Sequence, residues 1–132
     1  MALTLGDLCA DADITSKFAQ LEYKSASGSV ERGRTLFEGL MSMYPKRVDL
    51  WDIYLDMEIS RLGTLDDKQE AIGQIRQRFE RVTSTNLSQK KMKHFFKRYL
   101  DFERQYGDES TATHVKDLAK QYIQARLAAE ST

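Results

Sequence analysis

The sequence predicts an all-α fold, a right-handed α-solenoid of about three helical hairpins. Three observations carry that prediction. One helical phrase is written three times, each copy meets a glycine, and a second helical pattern follows each glycine. The copies are Phe18, Leu21 and Glu22, then Trp51, Tyr54, Met57 and Glu58, then Phe96, Tyr99, Phe102 and Glu103, with Thr15 in the place of Trp51 in the first. Spacings of three and four residues lay these side chains on one stripe of a helix. The glycines are Gly28, Gly63 and Gly107, and the glutamates lie 36 and 45 residues apart, within the range of helical repeats.

The first hairpin is expected from Ile14, with Ile14, Phe18 and Leu21 on its inner face and a turn over Ser25 to Ser29. Its second helix carries Val30, Gly33, Phe37, Leu40 and Tyr44, with Gly33 where two helices could approach closely, and Pro45 ends it. The second hairpin opens on Leu50, Trp51, Ile53, Tyr54, Leu55, Met57 and Ile59, apolar on more than one face, which places Trp51 in the core. After Gly63, Thr64 with Asp67 resembles a capping box, and Ile72, Ile75, Phe79 and Val82 keep a helical period. Thr83 to Ser88 reads as a loop with Ser88 as the cap of the third hairpin, whose inner stripe is Met92, Phe95, Phe96, Tyr99, Phe102 and Tyr106. Val115, Leu118, Ala119 and Tyr122 supply the last helix, which should fray from Ala125. The second helices repeat too: Arg34, Phe37, Glu38 and Leu40 correspond to Arg76, Phe79, Glu80 and Val82, weakening to Lys116, Ala119, Lys120 and Tyr122. The expected organisation is a leader or remnant of a preceding element over 1–13, a repeat domain over 14–127 with hairpins at about 14–44, 45–83 and 88–127, and a frayed tail over 128–132.

A chain of 132 residues, 41% hydrophobic and 30% charged, fits one helical domain. No run approaches the roughly 18 apolar residues of a membrane span. The start carries Asp7, Asp11 and Asp13 with no basic residue, unlike a signal or transit peptide. The lone Cys9 has no partner for an intramolecular disulfide, so a reducing, intracellular compartment fits. Zero net charge conceals an asymmetry: residues 1–73 hold 8 basic and 13 acidic side chains, whereas residues 74–98 hold 8 basic and one acidic. The basic band is Arg76, Arg78, Arg81, Lys90, Lys91, Lys93, Lys97 and Arg98, which are candidate RNA contacts expected to merge into one patch. Asp49, Asp52 and Asp56 form the candidate surface for a basic protein partner. Phe18, Trp51, Tyr54, Phe96 and Tyr99, at regular helical spacing, read as structural repeat positions rather than stacking platforms, and Glu22, Glu58 and Glu103, one per repeat at one phase, as bonds between helices. His94 and His114 read as surface residues. There is no Gly-rich phosphate loop, nucleophile elbow or H-E-x-x-H, so no enzyme, metal, cofactor or small-molecule substrate is expected.

The paired helices, with Trp51, Tyr54 and Glu58 on the first and Arg-x-x-Phe-Glu on the second, resemble the half-a-tetratricopeptide (HAT) repeat of RNA-processing scaffolds. Ser16 to Lys24, Glu31 to Leu40, Tyr44 to Ile59 and Lys90 to Glu109 resemble more closely the C-terminal repeats of the ribosomal-RNA-processing protein five family, called programmed cell death protein eleven in animals. The resemblance covers residues 15 to about 126. It implies a non-catalytic scaffold in a nucleolar ribosome-biogenesis factor, supporting maturation of small-subunit RNA, with pre-ribosomal RNA and pre-ribosome assembly proteins such as a DEAD-box RNA helicase as partners. Alternatives within the same fold are an adaptor that binds only protein and a messenger-RNA-processing scaffold. The chain departs from the family pattern in lacking the RNA-binding S1 domains and in a lengthened stretch over Leu62 to Glu70.

Overall fold

The computed structural model describes residues 11–130, and among them every regular element is helical. Cys9 and most of the expected leader, with the last two residues of the expected tail, lie outside the described residues. The helices are α1 (Ala12–Lys24), α2 (Val30–Met43), α3 (Val48–Arg61), a 3₁₀ turn (Leu62–Thr64), α4 (Gln69–Thr83), α5 (Gln89–Tyr106) and α6 (Glu109–Glu130). They group into two compact units that divide after Ala71, inside α4.

In the first unit, Asp11 caps α1 by accepting from the Ile14 backbone N–H at 3.1 Å, and Ser29 caps α2 by accepting from Arg32 N–H at 3.3 Å. The face that α1 buries is not the predicted one. Ala12, Thr15, Ser16 and Ala19 are buried, while Ile14, Phe18 and Leu21 are exposed. Small side chains on the buried face let α2 come close, and Gly33 shows how close: a Cβ there would lie 2.8 Å from Tyr23 Cδ2 and 2.9 Å from the Ala19 carbonyl oxygen. The inner-face reading of Phe18 is therefore corrected. Its stripe is apolar but faces away from α2.

Helix α3 buries Leu50, Trp51, Tyr54, Leu55 and Glu58. Trp51 is enclosed as predicted, and its indole N–H donates to the Pro45 carbonyl at 3.1 Å, which satisfies the one polar group that burial would otherwise strand. The expected capping box at Thr64 does not form. Thr64 Oγ1 donates to the Arg61 carbonyl at 2.8 Å within the 3₁₀ turn, which buries Leu62, and Asp67 Oδ1 accepts from Gln69 N–H at 3.1 Å where α4 begins. The longer connection thus resolves into a second, separate start.

In the second unit Ile72, Ile75, Phe79 and Val82 are all buried, as their period predicted. Ser88 caps α5 through Lys91 N–H, and α5 buries Met92, Phe95, Phe96, Tyr99, Phe102 and Glu103. Asp108 and Thr111 cap α6 reciprocally, with Asp108 Oδ1 accepting from Thr111 N–H and Thr111 Oγ1 from Asp108 N–H, each at 2.9 Å. Helix α6 continues to Glu130, past Ala125 where fraying was expected, although only its first half is buried, at Ala112 and Val115.

Candidate nucleic-acid interface and buried glutamate clamps

Two side-chain clusters, one in each unit, share a single plan. In the first, Arg34 Nε and Nη2 on α2 donate to Glu58 Oε1 and Oε2 on α3 at 2.8 and 3.3 Å, and Tyr54 Oη donates to Glu38 Oε2 at 2.7 Å. In the second, Arg76 Nε on α4 donates to Glu103 Oε1 on α5 at 2.7 Å, and Tyr99 Oη to Glu80 Oε1 at 2.9 Å. The aromatic pairs match as well: Phe37 stacks on Tyr54 and Phe79 on Tyr99, each with ring centroids 4.9 Å apart. Arg-x-x-Phe-Glu on one helix therefore clasps Tyr-x-x-x-Glu on the next, through an ion pair, a stack and a phenol-to-carboxylate bond. Glu58 and Glu103 are almost wholly buried, where an isolated charge would be costly, so the arginine is a requirement of the fold.

The first cluster holds one further residue that sequence reasoning missed. Tyr23 of α1 donates from Oη to Glu58 Oε1 at 2.5 Å, joining three helices at one carboxylate. Its signal was weak, since Tyr23 follows Glu22 and holds no place in the repeated phrase. Burial, and then the bond to the charged Glu58, push the Tyr23 phenol well above its ordinary range; burial and Glu80 do the same to Tyr99. Both raised values favour the protonated phenol in the folded state. The stability they contribute is complete below the unfolded tyrosine pKa of about 10 and is lost as pH rises past it. Denaturant midpoints should accordingly fall between about pH 9.5 and 12, and Tyr99→Phe should flatten that fall. A midpoint unchanged over the window would show that the two phenols ionise as readily in the folded chain.

The basic band divides. Lys90, Lys91, Lys93 and Lys97 are exposed along α5, and Lys90 to Lys97 spans about 10 Å of helix. Arg81 is exposed too, and Arg98 is half-buried. Arg76 and Arg78 do not join this surface as expected: Arg76 is spent on Glu103, and Arg78 is buried with Nη1 on the Gln74 carbonyl at 2.8 Å. Two of the eight candidate residues are thus turned into the fold, and Lys90, Lys91, Lys93 and Lys97 remain exposed on α5. On α3, Asp56 is exposed, Asp52 is half-buried and Asp49 is held by Arg47 at 2.7 Å, whose guanidinium keeps the Asp49 carboxyl below its usual range. Arg47 also reaches Asp13 at 3.3 Å, so the acidic surface carries its own counter-charge. His94 and His114 are exposed, and His114 Nε2 lies 2.8 Å from Glu80 Oε1. Glu22 accepts from Ser29 N–H at 2.8 Å and Arg32 Nε at 3.0 Å, bonding within its own hairpin where Glu58 bonds between hairpins.

The duplicated clasp is the kind of internal repeat that a family profile can recognise. A family model described as the PRP39 N-terminal HAT repeat matches residues 12–128. The chain belongs to the HAT-repeat family. Among curated proteins this HAT module is 44% identical over 117 residues to the Protein RRP5 homolog of Mus musculus, covering 89% of the chain. It is 46% identical over 110 residues to the rRNA biogenesis protein rrp5 of Schizosaccharomyces pombe and 48% over 113 residues to that of Arabidopsis thaliana, covering 83% and 86% of the chain. The chain spans only 5% to 6% of the length of these relatives. No solved structure matches it. The similarity is that of an RRP5-type HAT module, as the strings over Ser16 to Lys24, Glu31 to Leu40, Tyr44 to Ile59 and Lys90 to Glu109 implied.

Proposed function

We propose that this HAT module is a non-catalytic scaffold of ribosome biogenesis, holding pre-ribosomal RNA weakly through α5 and pre-ribosome assembly proteins through its remaining surface, in the nucleolus. The observation that carries the reading is the exposed lysine row of α5, in a chain whose relatives are named for rRNA biogenesis. Lysines at this spacing meet phosphates as point charges, which supplies affinity with little sequence preference. Tyr99 faces the core, so the lysines carry the contact, and they carry it to the backbone of RNA.

Replacing Lys90, Lys91, Lys93 and Lys97 together with glutamate should leave helicity unchanged and weaken binding to a structured or single-stranded RNA by at least about tenfold at low salt. Equal affinity of wild type and variant would take RNA off this face. A second reading, the protein-only adaptor, is favoured by the diversion of Arg76 and Arg78 into the fold, which lowers the phosphate-binding charge. It gains first place if the wild-type module shows no RNA affinity while still retaining assembly proteins, of which a DEAD-box helicase is one candidate.

A further inference from the structure

A groove opens between α5 and α6 beside the lysine row. It encloses about 230 Å³ and is lined by Gln89, Lys93 and Phe96 of α5 and by Ala119, Tyr122 and Ile123 of α6. Helix geometry puts them there: the first three stand at i, i+4 and i+7 and the second three at i, i+3 and i+4, so each helix turns one stripe to the groove. The walls are mostly apolar. Phe96 is 9% exposed, Tyr122 is half-buried against it with ring centroids 5.9 Å apart at 49°, and Ile123 is 53% exposed. The space is below the ~300–1,000 Å³ of a pocket for a whole small molecule, and it suits one ring system.

Charge narrows the occupant first. Lys93 belongs both to the groove and to the exposed row of Lys90, Lys93 and Lys97, and no acidic residue lines the groove, so a ligand that carries a phosphate beside its ring is favoured. The open groove along α1 and α2 differs in this respect, because Glu22 and Glu31 line it and repel a phosphate. Hydrogen bonding narrows it further. The Tyr122 hydroxyl oxygen is buried with no hydrogen-bond partner among the described residues, a deficit that a polar ring edge entering beside it removes. Gln89, exposed one turn from Lys93, offers an amide donor and acceptor as well. An apolar protein side chain leaves these groups unmet. A nucleobase is flat, polar at its edge and tied to a phosphate, and meets all of them.

We propose that the groove between α5 and α6 takes one unstacked base of single-stranded RNA against the ring of Tyr122, while Lys93 holds the adjoining phosphate. The inference rests on the reading of α5 as an RNA surface, and it adds a preference for single strands, since bases in a duplex are paired and stacked away from such a groove. Sequence preference stays small, because every base has a face to stack.

Fluorescence anisotropy at about 50 mM salt can compare a labelled oligouridylate with an abasic chain of the same length, which carries the same phosphates. The wild-type module should bind the abasic chain about fivefold or more weakly, the low end of the effect of one stacked base. Ala119→Leu, which fills the groove with an uncharged side chain, should bind oligouridylate as weakly as the wild type binds the abasic chain, with the salt slope and circular dichroism unchanged. Tyr122→Ala should show the same loss. Equal binding of the two chains by the wild type would overturn the groove and leave the lysine contact standing. So would an Ala119→Leu module that binds oligouridylate as the wild type does, which would put the base elsewhere, or one that loses assembly proteins but not RNA, which would give the groove to a protein side chain. No binding of either chain would remove both readings together.

Discussion

Arg34→Ala is expected to destabilise the first unit by about 3–5 kcal/mol, the range for stripping the partner from a buried charge. Glu58 is 1% exposed and sits at the meeting point of α1, α2 and α3, accepting from Tyr23 and twice from Arg34. Without the guanidinium its carboxylate must either stay charged in an apolar setting or take up a proton. Either route costs stability. Arg34→Lys should recover only part of the loss, because an ammonium cannot reproduce the two-point fork. Replacing both residues with methionine should cost far less than Arg34→Ala alone, since no charge is then stranded. Arg76→Ala should be milder: Arg76 is 33% exposed against 16% for Arg34, so water reaches the second clasp more readily. Urea midpoints of the variants check the ordering, and an Arg34→Ala protein as stable as wild type would remove the clasp from the list of things that hold the fold.

Trp51→Ala should cost a similar amount, about 3–5 kcal/mol, for a different reason. The indole is packed against Tyr54 with centroids 6.3 Å apart, and its N–H is bonded to Pro45, so truncation opens a cavity and strands the carbonyl. Leucine at 51 should fall between the two, filling part of the volume without the hydrogen bond. The prediction separates core from binding platform. A Trp51→Ala protein with wild-type thermal stability and lost binding would assign the indole to a ligand.

The repeat, the caps at Ser29 and Ser88 and the core period of α4 differ in how well the sequence shows them, and the differences have physical causes. Large apolar side chains at i, i+3 and i+7 announce a buried stripe, which is why Ile72, Ile75, Phe79 and Val82 were legible. The same rule misled at α1, where burial falls on Ala12, Thr15, Ser16 and Ala19. Small residues carry little hydropathy, yet they set the closest helix approach. Periodicity finds an apolar face but says nothing of what covers it. At the candidate interface, counting charges located the lysine row but could not distinguish a solvated arginine from one consumed by a buried acid. The information was nonetheless present: Arg34 with Glu58 and Arg76 with Glu103 recur at corresponding positions, and an acid and a base repeated in step are a pairing signal. Tyr23 belongs to no repeat position and could be placed only in three dimensions.

The salt dependence of RNA binding by the intact module tests the proposed function most directly. Four lysines are exposed on α5, so the logarithm of affinity for single-stranded RNA should fall with the logarithm of salt at a slope no steeper than about −3. Charge reversal of the four lysines should bring that slope close to zero. Fluorescence anisotropy of a labelled oligonucleotide between about 50 and 200 mM salt spans the range in which such binding changes most. Measurable affinity at the low end with that slope is the predicted result; no binding at about 50 mM salt, or binding indifferent to salt, contradicts it.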